Sequence, residues 1–326
     1  MVATSRISWI DYAKVLCIWL MVCCHAGQEG MIQLLSYQFH MPAFFLISGM
    51  LYRPKGVRVT LKSLGVPILF YGLLYLAFRL FLVLFKAGFD WTVCSNEFIT
   101  VGTQWMKSFV WCLDGLDVFP GSWFVFVLLF MRLLMEIGLV RKYKWLFLFF
   151  CFAWCSLEPF IDIPAQLEDL KVWHILSAFP FFITGLLIKE KRLNVMAGSF
   201  EVKLLAVVLF VVLAIIQGCP DIFVYNYGLN YALFFLNALL GSWLLFNLCD
   251  CAPAGRHWIV SLSNGTLLIL GLHFEIYPYM TAAFRYVTGI YNAYLPLLIG
   301  FMVLLVCYPL IRFCEKHCPI LLGKTG

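Results

Sequence analysis

The chain has 326 residues, of which 63% are hydrophobic and 12% charged. Soluble domains carry roughly 45–50% apolar and 25% charged residues, and water does not tolerate the exposed apolar surface such an excess would leave. A disordered chain, a nucleic-acid binder and a small disulfide-stapled secreted scaffold all fit poorly, and the net charge of +6 matters through its distribution rather than its sum.

A membrane-spanning helix needs about 20 mostly apolar residues. Ten such runs follow one another, at 9–27, 36–52, 63–85, 122–140, 145–157, 172–188, 204–217, 227–248, 258–279 and 291–313. The second, fifth and seventh are the weakest. The first is too long for a signal-peptide core and ends without a small-x-small cleavage pattern, so it is expected to stay as a spanning helix. No alternating stretch suggests a barrel strand.

Basic residues test this count, because Lys and Arg gather in cytoplasmic loops. With the N-terminus inside, inner segments hold sixteen of them, beginning with Arg6, then Arg53, Lys55, Arg58 and Lys62, and ending with Arg312, Lys316 and Lys324. The outer loops hold four: Lys86, Lys107, Lys171 and Arg285. The expected fold is therefore an all-α polytopic membrane protein of about ten transmembrane helices, with both termini cytoplasmic and a single integral-membrane domain over 1–326. Two acidic outer loops stand out. One covers 86–121, with Asp90, Glu97, Asp114 and Asp117; the other covers 158–171. The thirteen cysteines are scattered, many within apolar runs, and read as small buried hydrophobes. Cys249-x-Cys251 and Cys314-x3-Cys318 lack a second ligand pair at zinc spacing, so no metal site is expected.

Ionisable residues inside a membrane are costly and are functional candidates by default. The first run reads WIDYAKVLCIWLMVCCHAG. Lys14 and His25 are eleven residues apart, which is three turns plus a small residue of angle, so they share one face about 16 Å apart along the axis. Asp11 lies on the same stripe and can pair with Lys14; both can also simply snorkel at the interface. The second run contains FHMPAFFLISGML, with His40 just ahead of Pro42 and at a depth similar to His25. Ser48 and Gly49 would permit close helix packing. In the next basic segment Arg58 and Lys62 are spaced i, i+4. They either set topology and touch anionic lipid or receive a phosphorylated cytosolic ligand. No P-loop or dinucleotide fingerprint is present. Arg79 needs a carboxylate or carbonyl partner. Arg132 and Glu136, four apart, can pair with each other. His174 starts the sixth helix, and His273, beside Glu275 in LLILGLHFEIYPY, either faces a polar cavity or is a hydrogen-bonded structural histidine.

These motifs resemble the family-3 membrane acyltransferases, which O-acylate sugars and other acceptors at bacterial membranes. The match rests on WIDYAK followed by His25, on FHMPAFFLISGML, on RPKGVRVTLKSLGVPILF and on GSWFVFVLLF, with LLILGLH as weaker support. It covers nearly the whole chain, since the family core also has ten helices. Many members carry Arg where this chain has Lys14; lysine keeps the charge but lacks the bidentate fork. The extracytoplasmic hydrolase-like domain that some members append is not expected here.

The resemblance implies an acyl-CoA donor, usually acetyl-CoA, and a hydroxyl acceptor on a lipid-linked or externally displayed glycan, in the bacterial plasma (inner) membrane among its lipids, without nucleic acid. His25 would act as general base on the acceptor hydroxyl. His40 or a backbone N–H would face the oxyanion. Lys14 would hold the donor, with Arg58, Lys62 and Arg53 at the cytoplasmic mouth for its phosphates. Direct transfer and an acyl-enzyme on His25 or Cys24 both remain open. The rival reading is a transporter or glycan flippase, in which the intramembrane charges mark a substrate path; a non-catalytic scaffold is a third.

Overall fold

The computed structural model describes residues 7–111, 117–168, 170–253, 255–289 and 292–325; Arg6 and Asp114 lie outside these. The described chain is helical, with backbone pairing limited to two isolated bridges. The main helices are α1 (Ser8–His25), α2 (Met31–Met50), α3 (Val57–Lys86), α4 (Trp91–Lys107), α5 (Ser122–Glu136), α6 (Lys144–Leu157), α7 (Lys171–Glu190), α8 (Phe200–Gln217), α9 (Tyr231–Asp250), α10 (His257–Asn264), α11 (Thr266–Thr288) and α12 (Leu295–His317). Each of the ten predicted spans falls on helix. Seven helices, α1, α3, α7, α8, α9, α11 and α12, are long and apolar enough to cross a membrane. Of the other three, α5 and α6 have only 15 and 14 residues. Helix α2 has 20, but Gln33, Ser36, Gln38 and His40 dilute its apolar character.

Two expectations about the elements need correction. The segment 86–121 is not all loop, because α4 fills much of it. Asp90 caps that helix, its carboxylate accepting from Thr92 N–H at 2.9 Å and Thr92 Oγ1 at 2.7 Å. These bonds favour the charged form and lower the Asp90 pKa. The polar residues of α4 kept it below a spanning signal. The ninth predicted span is two helices, broken at Gly265. A Cβ there would lie 2.3 Å from the Ile311 side chain, so α12 presses on the break.

The bundle is organised around α2, which packs on α1, α7 and α9. Its contact with α7 is backbone to backbone. A Cβ on Gly49 would lie 1.9 Å from the Phe182 carbonyl oxygen, and one on Gly185 would lie 2.0 Å from that of Leu46. Without a hydrophobic drive between helices in lipid, such close approach supplies the dispersion contacts that hold them. The packing role expected of Gly49 is thus what the geometry gives it. Buried amides add polar links: Gln38 Nε2 donates to the Gly218 carbonyl at 2.7 Å, and Asn237 Nδ2 donates to Gln38 Oε1 at 3.1 Å. On the outside of the bundle, Leu204, Leu205, Val208 and Ile215 of α8 are exposed, as suits a helix covered by hydrocarbon.

One end of the bundle carries the Arg53–Lys62 segment. Glu136, expected to pair with Arg132, turns to this segment instead. Its carboxylate accepts from Lys55 N–H at 3.0 Å, Gly56 N–H at 3.2 Å and Tyr52 Oη at 3.3 Å. It thereby fixes the entry into α3, and the Lys189 ammonium holds the Tyr52 carbonyl beside it. Charge-assisted bonds of this kind contribute about 1.5–3 kcal/mol each at most. Glu136→Ala should lower the thermal midpoint by several degrees in detergent and expose the 53–57 segment to protease; an unchanged midpoint and cleavage pattern would contradict this assignment.

Candidate active site

Two cavities lie end to end along α1. The first, about 310 Å³, is lined by His25 and His40 together with Tyr37, Tyr75, Trp123 and Asp221. The second, about 200 Å³, is lined by Lys14, Arg132, Ser48 and Asn264. Met21, Met41, Phe124 and Leu270 belong to both linings. They form an apolar neck between a histidine chamber and a basic chamber.

The histidine chamber follows from local geometry. His25 closes α1 and is exposed to the chamber. Its ring centre lies 4.7 Å from that of Phe274 and 5.4 Å from that of His273. His40 sits within α2, not at its start, since the helix begins at Met31. Its Nδ1 is 2.7 Å from the Ser36 carbonyl oxygen. A carbonyl can only accept, so Nδ1 carries the hydrogen and Nε2 of the neutral ring is an acceptor. His273 is fully buried. Its Nδ1 lies 2.9 Å from the Leu270 carbonyl oxygen and 3.1 Å from that of Ile269, and its buried Nε2 has no partner. The structure therefore seats His273 behind His25 rather than on the chamber wall.

His174 lies away from this chemistry. Its Nε2 donates to the Phe223 carbonyl at 2.7 Å, so its Nδ1 accepts from Tyr225 Oη, also at 2.7 Å. Both nitrogens are spent on holding the 220–225 segment, which supplies Asp221 to the chamber. Asp221 accepts from Phe223 N–H at 2.9 Å. Burial nevertheless raises its carboxyl pKa above the ordinary value, against the pull of that bond. The other acidic side chain at the chamber, Asp117, accepts from Ser122 Oγ at 3.0 Å and lies 3.8 Å from Lys171 Nζ.

Lys171, expected in an outer loop, is buried. Its ammonium donates to the carbonyls of Ser108 at 2.5 Å and Trp111 at 2.6 Å and lies 5.0 Å from the Phe126 ring centre. One cation thus ties the end of α4 to the entry of α5 at the chamber rim. Lys171→Met would strand two carbonyls and take a cation from beside Asp117, a loss of about 3–5 kcal/mol for breaking a buried charge arrangement. The expected result is a strong fall in folded yield; wild-type yield and melting would contradict it.

The basic chamber holds the other end of the α1 stripe. Lys14 Nζ donates to the Ser263 carbonyl at 2.5 Å, and Asp11 accepts from Ser263 Oγ at 2.6 Å. Both side chains thus converge on Ser263, just before the helix break. Irregular backbone at membrane depth is tolerated where buried groups satisfy it, and Lys14 does so here. Arg132, from α5, lines the same chamber, and its buried Nε has no partner.

The structure brings His25 and His40 to one chamber and Lys14 to the next. It leaves Arg53, Arg58 and Lys62 exposed and outside both linings. A π-helical turn over Leu61–Gly65 begins between Arg58 and Lys62; it precedes Pro67, which cannot donate to the Ser63 carbonyl. Sequence reasoning gave Asp117 only as an acid of an outer segment and missed Asp221; the two lie on separate connecting segments and form no motif. It assigned Arg132 to the wrong partner, although an arginine inside a spanning run was itself a signal. Arg79 lies 6.0 Å from the Tyr75 ring centre. Among the described residues, no three His, Cys, Asp or Glu side chains gather as metal ligands.

No curated protein and no solved structure matches the chain. A family model described as an acyltransferase domain matches residues 7–312. With that match over nearly its whole length, on an all-helical fold with seven candidate membrane spans, the chain belongs to acyltransferase family 3.

Proposed function

We infer that this protein is a membrane O-acyltransferase that moves an acetyl group from acetyl-CoA to a hydroxyl of a cell-surface or lipid-linked glycan. The observation that carries the reading is the end-to-end pair of chambers, one basic and one bearing two histidines, joined by an apolar neck. The basic end faces the cytoplasm of a bacterial plasma membrane, where the donor is made. Exposed Arg53, Arg58 and Lys62 raise the local concentration of its phosphates, and Lys14 holds it further in. The acyl thioester passes the neck to reach His25.

Several features support a sugar as the acceptor. The histidine chamber offers aromatic faces at Tyr75, Trp123 and Phe274 and carboxylates at Asp117 and Asp221. Aromatic faces cover the C–H face of a sugar ring, while carboxylates accept from its hydroxyls. His25 takes the hydroxyl proton as that oxygen attacks the thioester carbonyl. The tetrahedral oxyanion collapses, the C–S bond breaks, and the thiolate leaves with the proton His25 returns. Neutral His40 offers an acceptor, not a donor, to this chamber. It therefore suits a second contact to the acceptor hydroxyl better than the oxyanion role, which then falls to a backbone N–H or a His40 that has gained a proton.

The test supplies radiolabelled acetyl-CoA and a glycolipid fraction to membranes containing the protein. The expected product is alkali-labile label on the glycan. Absence of transfer from acetyl-CoA, succinyl-CoA or longer donors across several acceptors would contradict the reading and favour transport along the same path.

A further inference from the structure

We propose that Arg132, with Lys14, forms an internal seat for the phosphate of a phosphopantetheine thioester, one arm's length from His25. The proposal rests on the acyltransferase reading and names where its donor is held.

Arg132 carries the argument. Its guanidinium is always charged, and its Nε is buried without a hydrogen-bond partner. An unsatisfied buried donor on a charged group is costly, so the site is built for an acceptor. The acid one turn away does not provide one, because Glu136 accepts from Lys55 N–H, Gly56 N–H and Tyr52. The chamber lining brings in the Lys14 ammonium and includes no carboxylate. Two cations from helices far apart in sequence, facing one cavity without an acid in its wall, select an anion. Arginine and lysine together are a common phosphate pair.

Distance selects which anion. Lys14 and His25 lie about 16 Å apart along α1, at ~1.5 Å per residue. In phosphopantetheine about twelve bonds separate the phosphate ester oxygen from the sulfur. An extended chain advances ~1.1–1.2 Å per bond, so this arm reaches about 14 Å, and the phosphorus and the acyl carbon add the remainder. A phosphate seated beside Lys14, in the chamber that Arg132 also lines, therefore puts the thioester carbonyl near His25. The arm between them is mostly apolar, as is the neck formed by Met21, Met41, Phe124 and Leu270; methionines adapt readily to such a shape. The exposed Arg53, Arg58 and Lys62 are left to the nucleotide end of the donor.

The same arm occurs in CoA and on carrier proteins, and the test separates them. Purified full-length wild type and Arg132→Gln are assayed in detergent for binding of radiolabelled CoA and of pantetheine, and for transfer from acetyl-CoA and from acetyl-carrier protein. Arg132→Gln should weaken CoA binding tenfold or more and raise the KM for acetyl-CoA by a similar factor, with equal pantetheine binding; Arg132→Lys should recover part of the loss. Transfer from the carrier protein alone, with the same Arg132 dependence, would support the seat and assign the arm to that source. Equal weakening of CoA and pantetheine would mark a merely structural role and overturn the seat. Unchanged CoA binding with normal transfer would overturn the seat alone, and no transfer from either donor by wild type would overturn the reading beneath it.

Discussion

Replacing His25 by alanine should reduce acyl transfer by about 10²–10⁴-fold, the range typical of a lost general base, while the protein still folds and inserts. The size follows from where the ring sits. His25 is exposed to the chamber, with Phe274 and His273 on its flanks, and His40 is held by the Ser36 carbonyl in a tautomer that offers only a lone pair. Alanine is a good helix former at the last residue of α1, and the ring's exposure means that little core is lost. The check is initial-rate transfer normalised to folded protein by size-exclusion profile. His25→Gln, which keeps hydrogen bonding but cannot take a proton, should be similarly inactive. Near-normal rates in both variants would contradict the role of His25 and leave the family assignment standing.

The second large effect falls on the fold. Gly49→Ala and Gly185→Ala each place a methyl about 2 Å from a carbonyl oxygen of the facing helix. That obstacle is backbone on both sides, so no rotamer change relieves it and α2 and α7 must separate. Overpacking usually costs about 1–3 kcal/mol and sometimes more; here the upper end applies, because the contact runs through the centre of the bundle. The expected outcome is loss of monodisperse protein after extraction, or a midpoint several degrees lower, with activity falling alongside. Gly138, where a Cβ would meet nothing within 4 Å, provides the control: Gly138→Ala should leave the midpoint unchanged. If all three alanine variants melt alike, the close α2–α7 approach is not what holds the bundle.

Much of the architecture was legible before any coordinates. Apolar runs placed a helix at every predicted span, because hydrocarbon forces backbone groups to be satisfied within the segment. The α1 stripe was legible because three turns fix a face, and Lys14 and His25 do line consecutive chambers. What the sequence hid depended on tertiary context. Helix α4 was hidden because its polar residues masked an amphipathic helix. The break at Gly265 was hidden because a single glycine within an apolar run gives no warning that Ile311 will press on it. The sharing of one chamber by Asp117 and Asp221 was hidden because only folding brings their segments to it, and Lys171 read as a loop charge until two carbonyls and Asp117 closed around it. The misassignment of Glu136 has the same origin. Its i, i−4 neighbour Arg132 was visible, whereas two backbone N–H groups about 80 residues earlier were not.

The central claim is that donor and acceptor enter from opposite ends and meet at His25. The most direct measurement uses sealed inside-out membrane vesicles, with radiolabelled acetyl-CoA outside, at the face that was cytoplasmic, and the glycan acceptor trapped in the lumen. The account predicts alkali-labile label on the luminal glycan with wild type and none with His25→Ala. Label only on acceptor added to the donor's own side, or movement of unmodified glycan across the membrane without any label, would contradict it.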